Sequence, residues 1–239
     1  MIINIKNKNQ FVTDYLRPIS ALTEAIIIKS KNNKLECITN NEQGLIVYAS
    51  YNLEVENNLI LNIPNVRKLE KILSFIELSE VKLQYKENCL SYKDKQLRFK
   101  YHFLDDNIIQ APKLSVKKIL SLPFNIEFKI NSSKISELAK GAAFVAESEK
   151  LYFNIDNGEI FAEITDRSNS SVDSYSIKVC DETDADNLSF PIHFDIVRLL
   201  ASTNQNEITV RINTEQGLST FEVSSDNVML KYIVPGLQV

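Results

Sequence analysis

Tryptophan is absent from the 239-residue chain, and glycine, histidine, cysteine and methionine are scarce, at five, two, three and two. So few glycines argue against a collagen-like or loop-dominated chain. Two histidines, His102 in a strand-like run and His193 at a helix start, argue against a His-based metal or catalytic site and read as structural side chains. Cys37, Cys89 and Cys180 are odd in number, far apart, and each in or at the edge of a strand-like run. They read as reduced core or sheet thiols rather than a disulfide frame or a metal site. No apolar run approaches the ~20 residues that span a bilayer, and the start MIINIKNKNQ lacks the apolar core of a secretory signal. A soluble, cytoplasmic protein with no membrane partner is expected. The GxxxxGK[ST], GxSxG, HExxH and paired-cysteine patterns are all missing. The acidic run CDETDADN, Cys180 to Asn187, lacks the glycine and closing glutamate of an EF-hand loop and reads as a solvated loop. The expectation is therefore a protein that is not an enzyme, with no catalytic residue, metal or cofactor.

What is present is ordinary core-forming sequence, 44% hydrophobic and 24% charged, arranged twice. Leu188 to Leu237 reads as a strand, a short helix and then strands divided by turns, and Leu59 to Leu104 is a weaker echo of it. In each copy a short apolar strand meets a proline at or just before the helix start (Pro64, Pro191), and an arginine on that helix (Arg67, Arg198) precedes alternating strands. The length fits two domains of about 100 to 120 residues.

In chain order, Phe11, Val12, Tyr15, Leu16, Ile19 and Leu22 predict an amphipathic helix over 9–22, which Pro18 is expected to end or kink near Arg17. Strands are predicted at 25–30, 34–39, 45–51 and 59–62, then a helix at 64–76 and strands at 81–85, 89–92 and 96–103. The stretch 105–122, with two acids, a proline and no clear period, reads as a connector. The second half repeats the order: a strand at 125–130, a helix capped by Asn131, strands at 151–155, 159–165 and 172–179, then Leu188 to Leu237. The fold class is α+β: two similar domains, 1–107 and 124–239 with a connector at 108–123, each with two helices on antiparallel sheet and the helices on one face.

The net charge of −4 and pI near 5.4 count against nucleic acid as a partner until the distribution is inspected. The four helical segments carry nine bases, Lys6, Lys8, Arg17, Arg67, Lys68, Lys71, Lys134, Lys140 and Arg198, against four acids, Asp14, Glu70, Glu137 and Asp195. That balance of +5 leaves −9 for the rest of the chain. Such segregation suits a protein that holds an anion on one side and stays soluble on the other, although lysines on exposed helix faces also serve plain solvation.

The duplicated helix, sheet, helix, sheet order, the basic helices, the stretch FVTDYLRPISALTEAIIIKSKNNKLECITNNEQGLIVYASY from Phe11 and the ending LKYIVPGL together resemble the sliding clamps of DNA polymerases, of the tailed-phage type and similar to proliferating cell nuclear antigen. The resemblance covers nearly the whole chain and rests on order and length rather than on one motif. It implies a DNA-clamp fold and a homotrimeric ring whose helices line a hole for double-stranded DNA, bound without regard to sequence. A clamp loader and a DNA polymerase, tethered to raise its processivity, are the implied partners. The nine helical bases would face the DNA. The resemblance also implies subunit contact through edge strands, at Leu97, Phe99, Tyr101 and Phe103 of one chain and Val172, Tyr175, Ile177 and Val179 of the next. A groove for partner peptides would involve Ile108, Ile109, Leu114, Leu120, Val234, Pro235 and Leu237, side chains that could equally pin the connector down. Pro18 within the first helix, and a fourth helix whose only candidate cations are Arg198 and His193, depart from the cellular clamps. The competing readings are a monomeric polymerase accessory factor of the same fold and a β-rich viral structural protein.

Overall fold

The computed structural model describes residues 1–55, 58–145, 148–169, 171–181, 183, 187–203 and 206–237. Of the sequence-based helical segments Asn131 to Ala146 and Ile192 to Asn204, the last residues, like positions 182 and 184–186 of the acidic run, lie outside the described residues. The chain divides into two units, Met1–Leu120 with Ser224–Leu230, and Ser121–Val223 with Lys231–Val239.

The first unit begins with β1 (Ile2–Ile5), then a helix in three segments: α1 (Lys8–Gln10), a π-helical stretch Phe11–Leu16, and α2 (Arg17–Leu22). Strands β2 (Ile26–Lys31), β3 (Lys34–Asn40), β4 (Ile46–Asn52) and β5 (Ile60–Ile63) lead to α3 (Val66–Ser74), followed by β6 (Val81–Lys86), β7 (Cys89–Lys93), β8 (Arg98–His102) and α4 (Val116–Leu120). The second unit repeats this order with β9 (Ile126–Asn131), α5 (Ser132–Gly141), β10 (Lys150–Asp156), β11 (Glu159–Ile164), β12 (Tyr175–Cys180), β13 (Leu188–His193), α6 (Asp195–Ala201), β14 (Glu207–Asn213), β15 (Leu218–Ser224) and β16 (Val228–Pro235).

The strand orders match as well. The first unit has β5-β2-β3-β4 and β1-β6-β7-β8, and the second has β13-β10-β11-β12 and β9-β14-β15-β16. Thus β1 is the counterpart of β9, β4 of β12 and β8 of β16. The strand registers described are antiparallel. The α+β class read from the sequence is the observed one.

Local sequence accounts for the joints. Two-residue hairpins of type I′ require positive φ at both central residues. Asn32 and Asn33 (φ 52 and 58) join β2 to β3, Glu87 and Asn88 (52 and 57) join β6 to β7, and Asn157 and Gly158 (51 and 81) join β10 to β11. Asn65 and Asn131 cap α3 and α5, accepting from the N–H groups of Lys68 (2.8 Å) and Ser133 (2.9 Å), each worth about 1 kcal/mol. Each core centres on three rings. Phe11, Tyr15 and Tyr51 pack at 5.0 to 5.8 Å in the first unit. Phe153 meets Phe128 at 5.5 Å and Phe221 at 6.1 Å in the second.

Three local expectations are corrected. Pro18 does not end its helix, which continues to Leu22 but changes winding at Arg17. The preceding turns are wound wider, with the Arg17 N–H donating to the Val12 carbonyl five residues back, a spacing that accommodates a residue lacking an N–H. Pro191 lies inside β13, opposite Tyr152, rather than beside the helix start. It is tolerated there because β13 is an outer strand of its sheet. Lastly, the connector forms a short helix, α4, whose Ile119 is buried.

Candidate nucleic-acid interface

The helices of each unit pack in pairs. In the first unit Glu70 ties them together: its carboxylate accepts from Arg17 Nε at 2.8 Å and from Ser20 Oγ at 3.1 Å. Arg67 Nε donates to the Ser20 carbonyl at 3.1 Å. Stripes of Val66, Leu69 and Leu73 on α3, and of Ile135 and Leu138 on α5, are buried, which turns the polar residues between them outward.

The nine helical cations fare differently. Lys68, Lys71 and Lys140 are exposed, and none has an ion-pair partner among the described residues. Arg67 is exposed and has no ion-pair partner among the described residues, its Nε donating to a carbonyl. Arg17 is paired with Glu70, Lys134 with Glu137 at 3.1 Å, and Arg198 with Asp195 at 2.6 Å. Lys6 meets Glu54 at 3.4 Å, both well exposed, a contact of little energetic weight. Lys8 is 5% exposed, so it does not present its ammonium to a partner. Arg67, Lys68, Lys71, Ile72 and Phe75, together with Glu24 and Asn65, line a hollow of about 540 Å³, in which Phe75 is 72% exposed. His193 lies within 3.5 Å of carboxylate oxygens of Glu149 and Asp195.

The edge-strand residues are placed as follows. β8 and β12 are outer strands of their sheets. Leu97 precedes β8, in a turn where its N–H donates to Asp94 at 2.6 Å. Phe99 is half-buried and stacks on Tyr92 at 5.8 Å. Tyr101 is buried, its hydroxyl donating to the Asn65 carbonyl (2.7 Å) and accepting the Asn65 N–H (3.1 Å). Phe103 is buried just beyond β8. Val172 precedes β12, Tyr175 and Ile177 are half-buried on it, and Val179 is buried. The Tyr175 ring occupies the space left by the missing side chain of Gly141; a Cβ there would lie 2.2 Å from the ring.

Among the groove residues of the first unit, Ile108, Leu114 and Leu120 are exposed and Ile109 is half-buried. In the second, Pro235 is exposed and Leu237 half-buried, while Val234 is 1% exposed and therefore part of the core.

No family model matches the sequence, and no curated protein matches it. Solved structures do. Proliferating cell nuclear antigen (PCNA) from Entamoeba histolytica superposes with a TM-score of 0.80 at 10% identity, over 99% of this chain and 98% of that one. The PCNA2–PCNA3 complex from Sulfolobus tokodaii gives 0.74 at 10% identity over 99% of both chains. The A. fulgidus PCNA bound to the C-terminal region of FEN-1 gives 0.77 at 14% identity over 100% and 98%. The fold is that of a sliding clamp.

On this clamp fold, the sequence count of helical charge missed two things. It could not register that Arg17 meets an acid 53 residues away. It also passed over a set of bases on strands, Lys82, Lys93, Arg98 and Lys100, whose signal was the alternation of polar or charged with apolar residues along β6 and β8. Among the described residues no helix is long and apolar enough to cross a membrane, and no group of three or more His, Cys, Asp or Glu side chains is set to hold a metal ion.

Proposed function

We propose that this chain is a non-enzymatic sliding clamp: three copies close into a ring around double-stranded DNA and tether a DNA polymerase, with a clamp loader placing the ring. The observation that carries the reading is the likeness to clamps over the full length of the chain, together with an open sheet edge in each unit. β8 and β12 are both outer strands of their sheets. An open edge is a template for another chain. Head-to-tail use of these two edges produces either a closed ring or a filament, and the likeness to clamps favours closure.

In this reading Arg67, Lys68, Lys71 and Lys140 supply the unneutralised positive charge of the lining, and Arg17, Lys134 and Arg198 a weaker, acid-compensated share. Lysines contact phosphate without reading bases, which suits a ring that slides. Domains 1–107 and 124–239, joined by the connector 108–123, are the units of the ring. Because one clamp neighbour is bound to the C-terminal region of FEN-1, the exposed apolar side chains Ile108, Leu114 and Leu120 of the first unit are assigned to docking of short partner peptides.

The test is topological. On a linear duplex the protein should be lost rapidly through open ends and retained when both ends are blocked by bulky bound proteins. Equal retention on open and blocked duplexes would refute encirclement and favour a monomeric accessory factor that binds one face of DNA.

A further inference from the structure

Backbone hydrogen bonding alone does not decide which open edges meet. β8 of one copy can pair with β12 of another, but also with β8, and β12 with β12. The charges around the two edges differ. Lys82, Gln84, Ser91, Lys93, Arg98 and Lys100 line one hollow of about 520 Å³ on the sheet that β8 terminates. Within it Lys93 lies directly across from Arg98, and Ser91 across from Lys100. Like charges opposed across strands are destabilising, and none of the four cations has an ion-pair partner among the described residues. Asp94, on the same hairpin, is turned onto its own loop, accepting from the Tyr92 hydroxyl at 2.8 Å and from the N–H groups of Gln96 and Leu97 at 2.7 and 2.6 Å.

The β12 edge has the opposite sign. Exposed Asp173 and Asp181 flank the strand. Its one base, Lys178, is held between Glu159 at 3.2 Å and Asp181 at 2.8 Å. Acidic charge is therefore left over at one edge and basic charge at the other.

We propose that this charge asymmetry fixes the polarity of chain-to-chain pairing: the basic face around β8 takes the acid-flanked β12 of a second copy, and like charge rejects β8–β8 and β12–β12 pairs. The occupant of the basic hollow is thus a second copy of this chain. This rests on the ring reading and adds to it a rule that forbids two-fold dimers, in which each edge would meet itself. The uncompensated Lys93–Arg98 opposition, a liability in the isolated chain, is relieved on assembly.

Charge exchange tests it. One variant carries Lys93→Glu, Arg98→Glu and Lys100→Glu; a second carries Asp173→Lys and Asp181→Lys; a third carries all five. The substituted side chains lie on the surface, and circular dichroism checks that each variant is folded. In light scattering at about 0.15 M salt, where exposed charges act over about 8 Å, each of the first two should assemble at least tenfold more weakly than wild type, and the third should recover the wild-type mass. Wild-type assembly by the first two variants, or no recovery in a folded third, overturns the proposal. A wild-type chain that stays monomeric at every salt and protein concentration overturns the ring reading itself, and this rule with it.

Discussion

Removing Lys68 and Lys71 is expected to weaken DNA binding far more than removing Lys134 and Arg198, although each change deletes two cations per chain. Lys68 and Lys71 are exposed on α3 without an acid partner among the described residues, so each phosphate contact they make releases a counterion. Lys134 and Arg198 are engaged by Glu137 at 3.1 Å and Asp195 at 2.6 Å, and must give up those pairs to reach phosphate. In a ring of three chains, Lys68→Ala with Lys71→Ala removes up to six contacts. At about 0.9 per contact, the slope of log K against log salt falls by up to about 5, or by about 2.7 if half of the lysines reach phosphate at once. The Lys134→Ala, Arg198→Ala control should lose less than half as much. Fluorescence anisotropy of a labelled duplex, titrated at several salt concentrations, reads both slopes. Because all four side chains are at the surface, stability should stay within about 0.5 kcal/mol. Equal slope changes in the two variants would refute the distinction between free and acid-compensated cations. No change in either would show that the helical charge serves only solvation.

Other expectations concern the framework. Tyr15 is 0% exposed and its hydroxyl has no hydrogen-bond partner among the described residues, so Tyr15→Phe, which keeps the ring stacked on Phe11, should raise stability by about 1 kcal/mol; a lower melting temperature would contradict this. Gly141→Ala would push its Cβ into the Tyr175 ring, displacing the start of β12, and should weaken assembly while leaving the circular dichroism spectrum unchanged; full assembly would count against β12 as a subunit contact. The hydrogen bond from Lys150, with further bonds from Ser168, lowers the Asp166 carboxyl from 3.8 to about 2. A depressed carboxylate contributes stability that is present above its unfolded value and lost as pH falls through its folded one. The urea midpoints of wild type and Asp166→Asn should therefore converge between pH 4 and pH 2, and a constant gap would contradict the assignment.

Much of the fold was legible because its units are local. Asparagine-bearing hairpins, asparagine caps and alternating strands repeat in order, and each is set by neighbours in sequence. What escaped depends on distant partners. β1 is four residues long, and its strand character comes from pairing with β6, where Ile5 meets Val81. Lys8 stands at a helix start that looks polar, yet its N–H donates to the Ser79 carbonyl at 2.7 Å and its side chain is buried. Val234 reads as part of an apolar tail, whereas β16 takes it into the core. At the candidate DNA-facing site, helical period placed Lys68, Lys71 and Lys140 at the surface and sets Asp195 one turn before Arg198, but the acid that compensates Arg17 lies 53 residues away, a pairing that periodicity does not encode.

The most direct test of the central claim is the mass of the unmodified protein in solution, by light scattering across a protein dilution series at low salt. The account predicts a species of three times the 27.3 kDa chain mass, dissociating on dilution and at high salt. A single-chain mass at every concentration would contradict it.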